Sequence, residues 1–237
     1  MNGDMSAAHS PPRRQSSGGD TTRQWARRAR LYEVLEASDL RRAHAKRTLF
    51  RHMRGQTLFV GVGTGLDIAH FPVGPVITAI DISEDMLRRA RRHRDRYLAT
   101  TEQYGCASLE LCLMDAAALT FADHSFDTVA TACTLCSVAD PSRVLRELRR
   151  VLRPGGRLLM FEHVRSSQPI LAAVLDAMSL WSRRRGTDMS RETVRAVIEA
   201  GFHIERIESV FLDIILAIEA SRPPATTGHS NARGLPV

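Results

Sequence analysis

Lysine is almost absent from this chain: Lys46 is the only one, so 32 of the 33 basic residues are arginine. The formal net charge is +7, but the arginines are spread along almost the whole length. That spread reads first as a compositional habit and only second as a binding patch. Aromatic residues are scarce at 5%. Apart from Tyr97, none interleaves with the arginine run of 88–96, so that run reads as a solvated helix face and no nucleic-acid partner is expected. The four cysteines (Cys106, Cys112, Cys133, Cys136) show no framework spacing. Their pattern excludes a disulfide scaffold and points to reduced thiols in a cytoplasmic setting. Cys133-x-x-Cys136 lacks a second ligand pair, so no metal is expected, and two packed cysteines at a strand end explain it better. No run of about 18 uncharged apolar residues is present, which excludes a membrane-spanning helix. An apolar secretory h-region is missing as well.

What is present is enough apolar material, 43% over 237 residues, for one domain with appendages. Residues 1–22 are rich in Ser, Gly, Pro and Arg, and 222–237 read the same way, so both are expected to be disordered. Residues 23–56 read as two amphipathic helices forming a cap or lid. Trp25, Ala29, Tyr32 and Leu35 share one face of the first, against Arg23, Arg27, Arg28 and Arg30. Leu40, Ala43, Phe50 and Met53 make a looser face on the second.

From residue 57 to 221 the pattern alternates between strand and helix. Strands are expected at 57–62, 76–82, 108–113, 126–133 and 157–163, with a terminal antiparallel pair at 203–211 and 213–220. The third should lie half-exposed near an edge. Ser83 and Asp140-Pro141 are helix starts, Pro154-Gly155-Gly156 a helix stop, and Ser190 a further cap before Val194, Val197 and Ile198. Five strands alternating with helices and then a hairpin describe an α/β fold: a Rossmann-like three-layer sandwich.

The most informative segment is Leu58-Phe59-Val60-Gly61-Val62-Gly63-Thr64-Gly65, an apolar strand running into a glycine turn. Twenty positions after Gly61 comes Asp81, at the tip of the second strand. The glycines let backbone approach a ligand, and the acid can hold both hydroxyls of a ribose. A dinucleotide fold requires G-x-G-x-x-G, whereas here the spacing is G-x-G-x-G. Ligands of open α/β sheets sit at the carboxyl ends of the strands. The other tips carry Ile82 and Met86, able to flank an aromatic ring; Asp115-Ala116, able to accept an exocyclic amine; Ala132-Cys133; and Glu162-His163.

This glycine turn resembles that of the class I S-adenosylmethionine (SAM) methyltransferases. The runs Phe126-Asp127-Thr128-Val129 and Arg146 to Arg157 are similar to the branch of ubiquinone/menaquinone-biosynthesis methyltransferases and bacterial phosphatidylethanolamine N-methyltransferases. Cys133 to Val138, Glu162 to Ser166 and Ser190-Arg191-Glu192-Thr193 look nearest to the second group, which includes relatives that methylate small thiols. Gly186-Thr187-Asp188 departs from the group's pattern. The resemblance implies SAM as cofactor. Gly61, Gly63 and Gly65 would line its methionine side and Asp81 its ribose, with Asp115 and Ala116 at the adenine and Val62 among the further cofactor contacts.

For the acceptor, His163 and Asp188 are the candidate bases, with Tyr32 and Trp181 as candidate substrate contacts. Each has a plainer role open to it: a backbone-bonded histidine, a turn-capping aspartate, two packed aromatics. The expected activity is methyl transfer to a small-molecule or lipid-headgroup acceptor, an amine first. Small-thiol or secondary-metabolite methylation and a non-catalytic SAM- or nucleoside-binding module are the alternatives. Residues 23–36 are expected to cover the substrate or touch an anionic membrane as a peripheral contact.

Overall fold

In the computed structural model, described over residues 40–102, 108–170, 172–173, 176–177 and 191–224, strand alternation decides the layers. Leu58 and Val60 face one side of the sheet and Phe59 the other; Leu158 and Met160 oppose Leu159 and Phe161 in the same way. Both faces are therefore apolar and both are covered, as a largely parallel sheet requires.

The sheet has seven strands: β1 (Gln56–Val60), β2 (Val76–Asp81), β3 (Ser108–Leu113), β4 (Phe126–Ala132), β5 (Leu152–His163), β6 (His203–Phe211) and β7 (Ile215–Ser221). Their order is β3-β2-β1-β4-β5-β7-β6. β1 to β5 pair in parallel, while β7 runs antiparallel to both β5 and β6. The chain travels outward from β1 to the β3 edge and then jumps to β4, so β1 and β4 flank the topological switch point.

One face carries α1 (Leu40–Phe50), a 3₁₀ turn (Leu66–His70) and α2 (Glu84–Thr101). Leu49, Phe50, Met53, Ile68 and Leu87 pack there on Phe59, Ala79 and Phe161. Aromatics gather in this layer with Phe161: Phe50, Phe59 and Phe71 in mutual contact, and Tyr97 against Phe71. The other face carries α3 (Pro141–Val151) and α4 (Thr193–Glu199). Val144, Leu145, Leu148 and Val151 repeat at helical spacing and are all buried against Leu58, Val129 and Leu158.

The helix starts follow their caps. Ser83 Oγ accepts from the Met86 N–H, and the Asp140 carboxylate accepts from the Arg143 N–H with Pro141 next to it. The edge position of β3 and the closing antiparallel pair match the pattern.

Several expectations need correction. A 3₁₀ turn alone links β1 to β2, and residues 114–125 link β3 to β4 without a helix, so the strands do not alternate regularly with helices. That second link is held instead by side chains. Arg150 donates to the carbonyls of Leu119 and Phe121, and Glu147 accepts the Leu119 N–H. α3 stops at Val151, before the Pro-Gly-Gly, because Leu152 already pairs with Phe126. Pro154, Gly155 and Gly156 lie where the β4–β5 register shifts, so β5 begins five residues earlier than its expected start at 157. α4 begins at Thr193, without a side-chain cap bond from Glu192, and Ile198 points outward at 55% exposure. Ser190 lies outside the described residues. Arg222, at the start of the expected tail, donates to the carbonyls of Arg149 and Leu152 at the end of α3.

Candidate active site

The carboxyl ends of β1, β2 and β4 meet at the switch point, and the glycine turn occupies it. The N–H groups of Gly61 and Val62 both donate to the Ile80 carbonyl, which ties the turn to β2. Gly61 adopts φ +73°, and a Cβ there would lie 2.5 Å from Thr134 Oγ1. Only glycine fits that space. Gly63 also has a positive φ, +55°, but a Cβ there would meet nothing within 4 Å. Its constraint comes from the backbone and from whatever approaches it.

Asp81 spans the two loops. Its Oδ2 accepts the Gly63 N–H at 2.8 Å and its Oδ1 accepts the Ser83 N–H at 2.9 Å. Burial pushes its carboxyl above the usual aspartate value, against the lowering effect of these bonds. A carboxylate has about four acceptor sites, so beside the N–H groups of Gly63, Ser83 and Ile82 it keeps capacity for a ligand hydroxyl. Thr64 is 3% exposed, and its Oγ1 has no hydrogen-bond partner among the described residues. Open space over Gly63 and a buried, unsatisfied hydroxyl beside it are what a polar ligand of the turn would fill.

Around this centre, Ile82 is 41% exposed while Met86 is buried under the first turn of α2. Asp115 is exposed at the end of β3, with Oδ1 accepting the Ala117 N–H at 2.8 Å, and Ala116 is half-buried beside it. Ala132 is buried at the end of β4. Cys133 follows with φ +51°, a left-handed conformation that a non-glycine residue holds only when its surroundings enforce it. Here the Cys133 N–H donates to the Phe161 carbonyl at 2.7 Å. That geometry turns the next two N–H groups inward.

They meet Glu162, which is fully buried. Its carboxylate accepts from Thr131 Oγ1 at 2.8 Å, from the Thr134 N–H at 3.0 Å and from the Leu135 N–H at 3.2 Å. Burial pushes the Glu162 carboxyl up to about 7, opposed by these donors. Thr134 Oγ1 in turn donates to the Val60 carbonyl at 2.9 Å. A continuous set of bonds thus runs from β5 through the β4 tip to the root of the glycine turn. Sequence reasoning placed Glu162 at a strand tip but gave the role to its neighbour. The signal was an acid at the end of the apolar run Leu158-Leu159-Met160-Phe161, which must be paired with donors to be buried.

His163 is half-buried at the end of β5, opposite Ile215. The glycines, Val62, Asp81, Ile82, Met86, Asp115, Ala116, Ala132 and Cys133 all lie on strand ends or the loops that follow them. Tyr32, Trp181 and Asp188 lie outside the described residues. Among the described residues no group of three or more His, Cys, Asp or Glu side chains is placed to hold a metal ion. Cys133 and Cys136 form no disulfide, and burial raises the Cys136 thiol to about 12, where it is inert.

Residues 58–160 match a family described as a methyltransferase domain. A phosphatidylethanolamine N-methyltransferase of Cereibacter sphaeroides is 37% identical over 145 residues, covering 60% of this chain and 68% of that protein. A thiol S-methyltransferase of Mus musculus is 29% identical over 199 residues, covering 76% of this chain and 73% of the relative. Among solved structures, a SAM-dependent methyltransferase from Thermotoga maritima superposes with a TM-score of 0.63 at 20% identity. It covers 85% of this chain and 99% of that one, and so shares the fold.

Proposed function

Because the chain belongs to the class I SAM-dependent methyltransferases, we propose that it methylates an amine on a small molecule or lipid headgroup. Its cofactor is S-adenosyl-L-methionine. The observation that carries the site is Asp81, whose carboxylate joins the Gly63 and Ser83 N–H groups beside open space. In this reading Asp81 takes the ribose hydroxyls, Ile82 and Met86 flank the adenine, and Asp115 and Ala116 meet its edge. Gly61, Val62, Gly63 and Gly65 border the methionine end, and Ala132 and Cys133 face the sulfonium. The choice of an amine rests on the relative from Cereibacter sphaeroides.

When bound, the sulfonium supplies an electrophilic methyl group for in-line displacement. The protein's share is to align the acceptor and exclude water, which accounts for much of the acceleration in such transfers. An ammonium acceptor must first lose a proton so that its lone pair is free, and His163, at the end of β5, is the residue proposed to take it. Asp188, Tyr32 and Trp181 enter this reading as acceptor-side residues on sequence grounds alone. Residues 23–36 are proposed to cover the acceptor or rest on an anionic membrane. Among the described residues, no helix is long and apolar enough to cross one.

The test is methyl-labelled SAM offered with lipid, amine, thiol and phenol pools, followed by mass spectrometry of the labelled product. Label in an amine is the expected outcome. Label in a thiol favours the second reading, for which the relative from Mus musculus speaks. SAM binding without labelling in any pool favours a non-catalytic module. His163→Ala is expected to lower turnover on the identified amine by about 10²-fold at unchanged SAM affinity. Normal kinetics in that variant would remove His163 from the catalytic role.

A further inference from the structure

The one lysine of this arginine-rich chain is buried. Lys46 sits on α1 at 3% exposure, and its Nζ lies 2.8 Å from Asp67 Oδ1. The same ammonium stands 5.1 Å from the centroid of the Phe161 ring on β5. Asp67, itself 9% exposed, belongs to the 3₁₀ turn that continues directly from the glycine turn. The pair thus joins three elements: α1, the cofactor turn, and the strand whose next residue is Glu162.

Two features make this more than ordinary packing. Lys46 occupies the apolar face of α1, between half-buried Ala43 and buried Phe50, where an apolar residue would satisfy the helical repeat. A buried ion pair is a poor source of net stability compared with well-packed apolar groups, so stability alone gives a weak reason for it. The residue is also lysine where the chain otherwise uses arginine. A compact ammonium brings three donors and a ring-facing charge, whereas a guanidinium brings five donors in a fixed fork that all need partners when buried.

We propose that Lys46 is a positioning residue: through Asp67 it locks α1 to the glycine turn, so that occupancy of the turn by cofactor and seating of α1 are one event. The physical reason is that two buried opposite charges separate only by exposing each other to an apolar interior, so the helix and the turn move as one body. A ligand over Gly63 and Thr64 fixes the turn, and the ion pair passes that constraint to α1. The proposal rests on the cofactor assignment above.

The absence of other lysines provides the test. Amine acetylation of the intact folded chain can modify only Lys46 and the chain's α-amino group, and peptide mass spectrometry resolves the two. Saturating S-adenosylhomocysteine is expected to slow Lys46 acetylation by about ten-fold or more relative to the α-amine, because opening of the pair is suppressed by the ligand's binding. Calorimetry on the same sample establishes occupancy. Bound ligand with an unchanged Lys46 rate would overturn this proposal alone; no binding would overturn the cofactor assignment with it. A variant pair adds a second reading. Lys46→Met is expected to weaken S-adenosylhomocysteine binding by about ten-fold, and adding Asp67→Asn is expected to weaken it little further, since members of one pair are non-additive. Full additivity, or a lowered Tm at unchanged affinity, would reduce the pair to packing.

Discussion

Replacing Gly61 and replacing Gly63 should have different consequences, although they stand two positions apart with similar φ. Alanine at 61 places a Cβ within 2.5 Å of Thr134 Oγ1 and 2.9 Å of its Cγ2, in a left-handed backbone. Overpacking and backbone strain together should destabilise the fold by about 3 kcal/mol. Alanine at 63 meets nothing and carries only the backbone penalty, about 1 kcal/mol. Gly63→Ala is therefore expected to stay folded and lose S-adenosylhomocysteine affinity by about ten-fold or more, with denaturant melts and calorimetry as the measurements. Equal melts for both variants would contradict the account. The glycine spacing and Asp81 were legible in the sequence because local backbone geometry imposes them. Thr134, Glu162 and the Lys46–Asp67 pair were not, because each gains its meaning from a residue far away in sequence. For Glu162 the hint was an acid ending an apolar run, and for the pair it was the looseness of the apolar face on α1, where Lys46 sits.

The tips of β4 and β5 behave as one element, joined by Glu162. Its carboxyl ordinarily titrates at 4.5 and is pushed up to about 7 by burial. Between those values the folded chain holds a proton that the unfolded chain has released. Stability should therefore fall as pH rises through that window and level off above about 7, by about 3 kcal/mol in all. Asp81, raised in the same direction, adds a slope of the same sign at lower pH. Glu162→Gln removes the ionisation but turns an amide nitrogen toward groups that donate. The variant is expected to be less stable than the parent at pH 5, by about 1–3 kcal/mol, with the gap narrowing at pH 7.5. Urea melts at the two pH values measure this, and parallel profiles would refute it. At this scale the sequence pattern located each strand among the described residues, because alternation and caps act within a few residues. It misplaced the start of β5, since the partner strand, not the Pro-Gly-Gly, decides where pairing begins. It also invented regularity in the connections, because Arg150 and Glu147 hold the β3–β4 link from a helix downstream.

At the scale of the whole molecule, arginines among the described residues form local ion pairs. Arg88 pairs with Asp85, Arg94 with Asp95, Arg153 with Asp127, Arg195 with Glu192 and Glu199, and Arg206 with Glu208. Such exposed pairs contribute about 0–1 kcal/mol each, so they solvate the surface more than they stabilise the fold. The architecture's organised polarity lies inside, at the switch point, where Asp81, Thr64, Thr134 and Glu162 are gathered around one turn. The central claim is that this turn and Asp81 hold an adenosylated amino acid and not a dinucleotide. Calorimetric titration of the full chain with S-adenosylhomocysteine and, separately, with NAD tests it most directly, with Asp81→Ala alongside. One S-adenosylhomocysteine per chain should bind, NAD should give no heat, and Asp81→Ala should weaken binding by ~1.5–3 kcal/mol, roughly ten- to a hundred-fold. NAD binding, or an Asp81→Ala variant with undiminished affinity, would contradict it.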